Sequence, residues 1–296
     1  MQERLAQLTA NQSDAIWAQI ATDSLGASAD ISGALAGVPF ASKDLFPLSG
    51  APTRSGGRLH SRIARQDSTL VAAMRAVGAI PIGKTHLHEF AYGLTGENPH
   101  FGAVSHPQFA DRTAGGSSSG SAAAADIVPF ALGTDTGGSL RVPAAFCGLY
   151  SWHDVPRHPW ISDGFPLAPS FDTAGWLTSS PVDIRILNTT LWGDFPSSAS
   201  TPRKAYLDAA SLHVEMASAE TQIMAAKASS FCDPSPISSH ADFAAELHDT
   251  GFAYSVLQST EAFAVHQTRL DARKSAYGSG RLATHRSRSS LDRTST

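Results

Sequence analysis

Apolar and polar positions along this chain alternate in short blocks that read as strands and helices in turn. Residues 1 to about 24 are predicted to form a helix, with Leu5, Leu8, Ile16, Trp17 and Ile20 turned inward. Gly37-Val38-Pro39-Phe40-Ala41 reads as a short buried strand ending at Ser42-Lys43-Asp44. Asp67 or Ser68 can cap a helix carrying Leu70, Val71, Met74 and Val77 and stopped by Gly78. Ala79-Ile80-Pro81-Ile82 is the next strand. Ser121 to Ala125 starts an alanine-rich helix, and Ile127 to Leu132 is a strand again. Such alternation predicts an α/β fold, a mixed central sheet with helices on both faces. Further on, residues 204 to 229 read as a helix and 241 to 273 as a strand and a helix. Residues 278 to 296, rich in Ser and Arg and nearly without apolar residues, are expected to be disordered. Residues 1–277 are accordingly taken as one domain.

Composition narrows the function classes. Of 296 residues 42% are hydrophobic, enough for a sizeable core, and the formal net charge is −4 with no basic stripe, which argues against nucleic acid as partner. No run of about eighteen apolar residues is present, so no membrane span is expected. Two cysteines, Cys147 and Cys232, make no disulfide framework; both are read as reduced, with a cytoplasmic address. Cys147 sits in an apolar run and reads as core. No Walker or dinucleotide pattern stands in a strand–loop–helix context, and no cofactor is expected. His86-x-His88-Glu89 reads as a solvated face at a helix start, and no metal site is expected. Trp152, Trp160, Phe165, Phe171 and Trp176 could line an aromatic pocket or be ordinary core.

Two serine motifs compete as carriers of chemistry. Gly116-Ser117-Ser118-Ser119-Gly120 fits G-x-S-x-G literally, but a nucleophile elbow needs a hydrophobic strand before it and Asp111-Arg112-Thr113-Ala114 is not one. Gly137-Gly138-Ser139 does follow an apolar strand. Two glycines let the backbone turn sharply with its amides free to hold an oxyanion. A plain glycine turn or an anion-binding loop would look the same.

The order of these blocks carries more than any one of them. Lys43, then Gly-Gly-Ser-Ser-Ser-Gly-Ser at 115–121, then Gly-Thr-Asp-Thr-Gly-Gly-Ser-Leu-Arg-Val-Pro at 133–143 resembles the amidase signature family. Gly83-Lys84-Thr85, Glu89-Phe90-Ala91, Asn98, Gly102 and Pro169-Ser170-Phe171-Asp172-Thr173-Ala174-Gly175-Trp176 extend the resemblance, densely over about 33–180. Within the family the chain looks most like plant and bacterial amidases of the indoleacetamide-hydrolase type.

The resemblance implies an amidohydrolase that turns a small carboxylic amide into acid and ammonia through a serine acyl-enzyme. It implies Ser139 as nucleophile, Ser117 as bridging serine at a non-proline cis peptide, and Lys43 as base. The backbone amides of Thr136, Gly137, Gly138 and Ser139 would form the oxyanion hole, supported by Ser118, Asp135 and Arg141. Lys43 must lose its proton to act, at a cost of about 4–5 kcal/mol for a free lysine at pH 7. Burial after an apolar strand can supply that, provided adjacent Asp44 faces the other way.

Three features depart from the family pattern. Ser117 to Ser139 spans 22 positions, two fewer than is usual, with the gap near Ala125-Asp126. A helix shortened by two residues would rotate the next segment by roughly 200° unless a loop absorbs the change. Residues 151–160 differ from the usual continuation, and the fold is expected to be C-terminally incomplete. A truncated, impaired member and a glutamine-hydrolysing subunit of a tRNA-linked amidotransferase are the alternative readings. A small amide is the expected partner, and a homodimer is compatible with the chain.

Overall fold

In the computed structural model, which describes residues 16–20, 32–58, 63–193, 240–273 and 277, the strands are β1 (Trp17–Ile20), β2 (Pro39–Lys43), β3 (Ile80–Thr85), β4 (Phe130–Asp135), β5 (Tyr150–His153) and β6 (Thr173–Thr178). They pair in the order β1-β3-β2-β4-β6-β5. The β3-β2 and β2-β4 pairs are parallel and the others antiparallel, so the sheet is mixed. The helices are α1 (Thr69–Ala76), α2 (Ser119–Ala124), α3 (Arg141–Cys147), α4 (Pro159–Ser162), α5 (Pro181–Trp192) and α6 (His240–Arg273). Contacts divide the chain into one unit of residues 1–194 with 258–296 and a second of residues 195–257, whose described part is the helical stretch 240–257.

Alternation along the strands sorts their apolar residues into two layers. Phe40, Phe130, Leu132, Ala174 and Trp176 pack with Leu70, Val71 and Met74 of α1 and Leu187 of α5. Ala41, Ile82, Ala131 and Leu177 pack with Ala122 and Ala124 of α2 and Ala144 of α3. Alanine is what lets α2 lie so close to the sheet. The first layer is filled by rings, with Phe40 stacked on Phe130 at 5.2 Å and Trp152 on Trp176 at 4.7 Å. Each such ring contributes about 2–3 kcal/mol when fully buried.

Local signals account for the boundaries. The Ser68 hydroxyl caps α1 by accepting the Val71 N–H at 3.4 Å, while Asp67 instead accepts from Ser49 and pairs with Arg75. Ala125 and Asp126 lie past the end of α2, in the turn that leads to β4. The Ala124 carbonyl ends α2 by accepting both the Ile127 and Val128 amides, at 2.8 and 2.9 Å, before β4 begins.

Several expectations need correction. Trp17–Ile20 is a strand against β3, not part of a helix; Ile16 and Ile20 are four apart, a spacing that fits period 2 as well as period 3.6. Residues 1–15 and 21–31 lie outside the described residues, as do 204–229, Cys232 and the tail 278–296. His240–Arg273 is one continuous helix with no strand in it. His86 is buried and stacked on Phe101, not on a solvated face. The aromatic residues fall in two core clusters. Trp152, Trp160 and Trp176 join Trp192 in the first layer, whereas Phe165 and Phe171 pack with Leu45, Leu87 and Leu167.

Candidate active site

Parallel pairing brings the C-terminal ends of β2 and β4 side by side, and polar residues collect there. Lys43 is the last residue of β2 and is completely buried. Its ammonium has three protons and three partners: Ser117 Oγ at 2.8 Å, Ser118 Oγ at 2.9 Å and Thr134 Oγ1 at 2.8 Å. Burial pulls the ammonium down, the charges of Asp135 and Asp172 push back, and the amine settles at about 7. Adjacent Asp44 is instead held by Lys84 at 2.6 Å. Lys84 is further engaged by Pro52 O and Thr53 Oγ1.

The two serines around Lys43 are not equivalent. Ser118 Oγ gives its proton to the Thr134 carbonyl at 3.2 Å, so toward Lys43 it is only an acceptor. Ser117, which follows a cis Gly116–Ser117 peptide, has no such outlet among the described residues. When Lys43 is neutral it has one lone pair; of the two serines Ser117 is the one able to donate to it, and the Thr134 hydroxyl likewise has no other acceptor among the described residues. Gly133 is required here, since a Cβ would meet Leu140 Cδ2 at 2.6 Å and Ser118 Oγ at 2.9 Å.

The turn after β4 folds around one carboxylate. Asp135 accepts the amides of Gly138 at 2.7 Å, Leu140 at 3.1 Å and Arg141 at 3.3 Å. The Arg141 guanidinium adds Nε at 3.0 Å and Nη2 at 2.9 Å. Burial alone would raise the Asp135 carboxyl, but these donors outweigh it and hold the group down at about 2. The Gly138 amide is therefore engaged inside the turn, while the expected oxyanion set included it. The amides of Thr136, Gly137 and Ser139 have no acceptor among the described residues. Gly138 itself takes φ 134°, open to glycine but strained for other residues.

Ser139 is buried and sits beside the lysine cluster through a backbone link, Ser118 N–H to Ser139 O at 3.2 Å. Of the expected chain, the Lys43–Ser117 bond is present; no hydrogen bond joins the Ser117 and Ser139 hydroxyls.

Two residues of the cluster were not singled out from sequence. Thr134 completes the lysine's partners. Asp172 accepts the Thr136 hydroxyl at 2.6 Å and the amides of Leu167 and Ala168, tying the loop before β6 to the turn after β4. The Ser-Phe-Asp-Thr segment marked the place but not the partner. Cys147 is half-buried against Ala114 O, its thiol pushed up to about 11 by burial. No group of three metal-binding side chains occurs among the described residues.

A family model described as Amidase matches residues 1–255. The indoleacetamide hydrolase of Pseudomonas syringae pv. syringae is 40% identical over 172 residues, covering 56% of this chain and 39% of that protein. A glutamyl-tRNA(Gln) amidotransferase subunit of Chromohalobacter salexigens is 41% identical over 191 residues, 62% of this chain and 38% of that protein. The chain thus spans well under half the length of these curated relatives. A crystal structure of an amidase superposes with a TM-score of 0.76 at 28% identity, over 94% of this chain and 67% of the other.

Proposed function

The chain belongs to the amidase signature family, and from that premise we propose that it hydrolyses carboxylic amides with Ser139 as nucleophile and Ser117 and Lys43 as a proton relay. The observation that carries this reading is the buried Lys43–Ser117 hydrogen bond at 2.8 Å, on an amine whose pKa burial lowers to about 7. In the reaction, neutral Lys43 takes the Ser117 proton while Ser117 takes that of Ser139. Ser139 Oγ bonds to the amide carbon, and the carbonyl electron pair moves onto oxygen. The Thr136, Gly137 and Ser139 amides donate to that oxygen, each such donor being worth about 10²–10³ in rate. The C–N bond then breaks as the proton returns through the relay to the leaving nitrogen. Water, deprotonated by the same groups, cleaves the ester to release the acid and restore Ser139.

The acyl group is left open by this reading. Relatives named for indoleacetamide and for glutamyl-tRNA(Gln) stand equally near, so a test panel should contain arylacetamides, aliphatic amides and glutamine. Ammonia release from that panel is expected for the wild type and lost in Ser139→Ala. No turnover by folded wild type on any member would sink the reading; turnover surviving in Ser139→Ala would remove Ser139 from it.

A further inference from the structure

Helix α6 meets the site's supporting loop at Glu261. Glu261 accepts the Ser170 N–H through Oε2 at 2.9 Å and the Ser170 hydroxyl through Oε1. Both residues belong to the first unit. Its neighbour Ala262 is buried among Leu45, Leu87, Leu167 and Ala168, so the helix has little room to slide over the loop. Within the loop, the Phe171 and Asp172 amides both turn in to the Ala168 carbonyl, at 2.8 and 2.9 Å. The Ser170 N–H does not share in that turn, and a carboxylate with two oxygens matches its two donors. Two residues on, Asp172 grips the Thr136 hydroxyl, and Thr136 contributes one of the uncommitted amides beside Ser139.

We propose that Glu261 is a positioning residue for the hydrolytic site, fixing the 167–172 loop so that Asp172 can hold the turn that carries the oxyanion donors. The proposal rests on the reading of Ser139 given above. Glu261 touches no reacting atom. It acts through Ser170 and Asp172, so its removal should alter the rate of the chemical step and leave substrate binding nearly as it was.

Glu261→Ala and Glu261→Gln in the full chain test this. Glutamine keeps an oxygen for the Ser170 amide, while alanine keeps nothing. In Glu261→Ala, kcat should fall about tenfold or more at little changed KM, the scale expected when a donor is displaced by a fraction of an ångström. Since the Asp172 charge raises the Lys43 pKa, loosening that loop should also move the rising limb of kcat/KM against pH to lower pH. Glu261→Gln should recover most of both effects. Amide exchange supplies a readout independent of turnover. The Leu167 and Ala168 amides, held by Asp172, should exchange about tenfold faster in Glu261→Ala and not in Glu261→Gln, with the amides of β2 and β4 unaffected. Unchanged exchange at Leu167 and Ala168 would overturn the proposal. So would faster exchange throughout the sheet with no rescue by glutamine, which would mean general destabilisation. A wild type without turnover would overturn the hydrolytic reading instead, and exchange alone would then decide the role of Glu261.

Discussion

Lys43 has three hydroxyl partners and is completely buried, so its charge has nowhere to be dispersed except through those hydroxyls and the carboxylates behind them. Only the neutral amine can serve as base, which means that kcat/KM should rise with pH through about 7 and level off above it. A limb well above pH 9 would mean an ordinary solvated lysine. Lys43→Met should remove the base and lower kcat by at least about 10²–10⁴, while leaving the fold intact because a buried charge is removed along with it. Asp135 is the opposite case, a carboxylate kept ionised by its donors. Asp135→Asn puts an N–H₂ among donors, and should destabilise the protein by about 2 kcal/mol in denaturant unfolding. It should also lower kcat, because the Gly138, Leu140 and Arg141 amides would no longer be gathered into one turn.

At the scale of elements, the site depends on how closely α2 can approach β4. Gly133→Ala would drive a methyl group into Leu140 and Ser118, so a loss of about 1–3 kcal/mol and a matching loss of activity are expected, measurable by denaturant unfolding and turnover on the same preparation. The strands β2, β3 and β4 and the helix α1 were legible because their signals are local: apolar runs, the Ser68 cap and the stop at Gly78. The candidate nucleophile and base were legible because their motifs are long and ordered along the chain. What escaped is made by distance in sequence. Thr134 lies 91 positions from Lys43, and Glu261 lies 91 from Ser170, so no window of sequence contains either pair. The bond from the Gly138 amide to Asp135 escaped for a related reason. A glycine turn shows that amides can be exposed, but which of them an aspartate three residues back will claim depends on the turn's dihedral angles. Trp17–Ile20 was misread as helix because β1 is stabilised by the edge of β3 it pairs with and not by its own periodicity.

For the whole molecule, the buried groups set a direction for stability against pH. The His86 pKa is lowered to about 4, first by burial and then by the Arg54 charge, so the native state binds fewer protons than the unfolded chain between about 6.5 and 4. Stability should therefore fall across that window as the pH is lowered, by about 3 kcal/mol if His86 acted alone, and His86→Phe should flatten the dependence there when guanidinium midpoints at pH 4.5 and 7.5 are compared. Asp135 adds stability that is fully present above about 3.8 and disappears as pH falls through about 2, so acid unfolding should steepen below pH 4. These effects describe what holds the site together; the chemistry is tested on Ser139 itself. Wild-type protein mixed with an activated aryl ester of a carboxylic acid, quenched in acid and mapped by peptide mass, should carry one acyl group on Ser139, and Ser139→Ala should carry none. An adduct on Ser117 or Ser118, or one that persists in Ser139→Ala, would contradict the account.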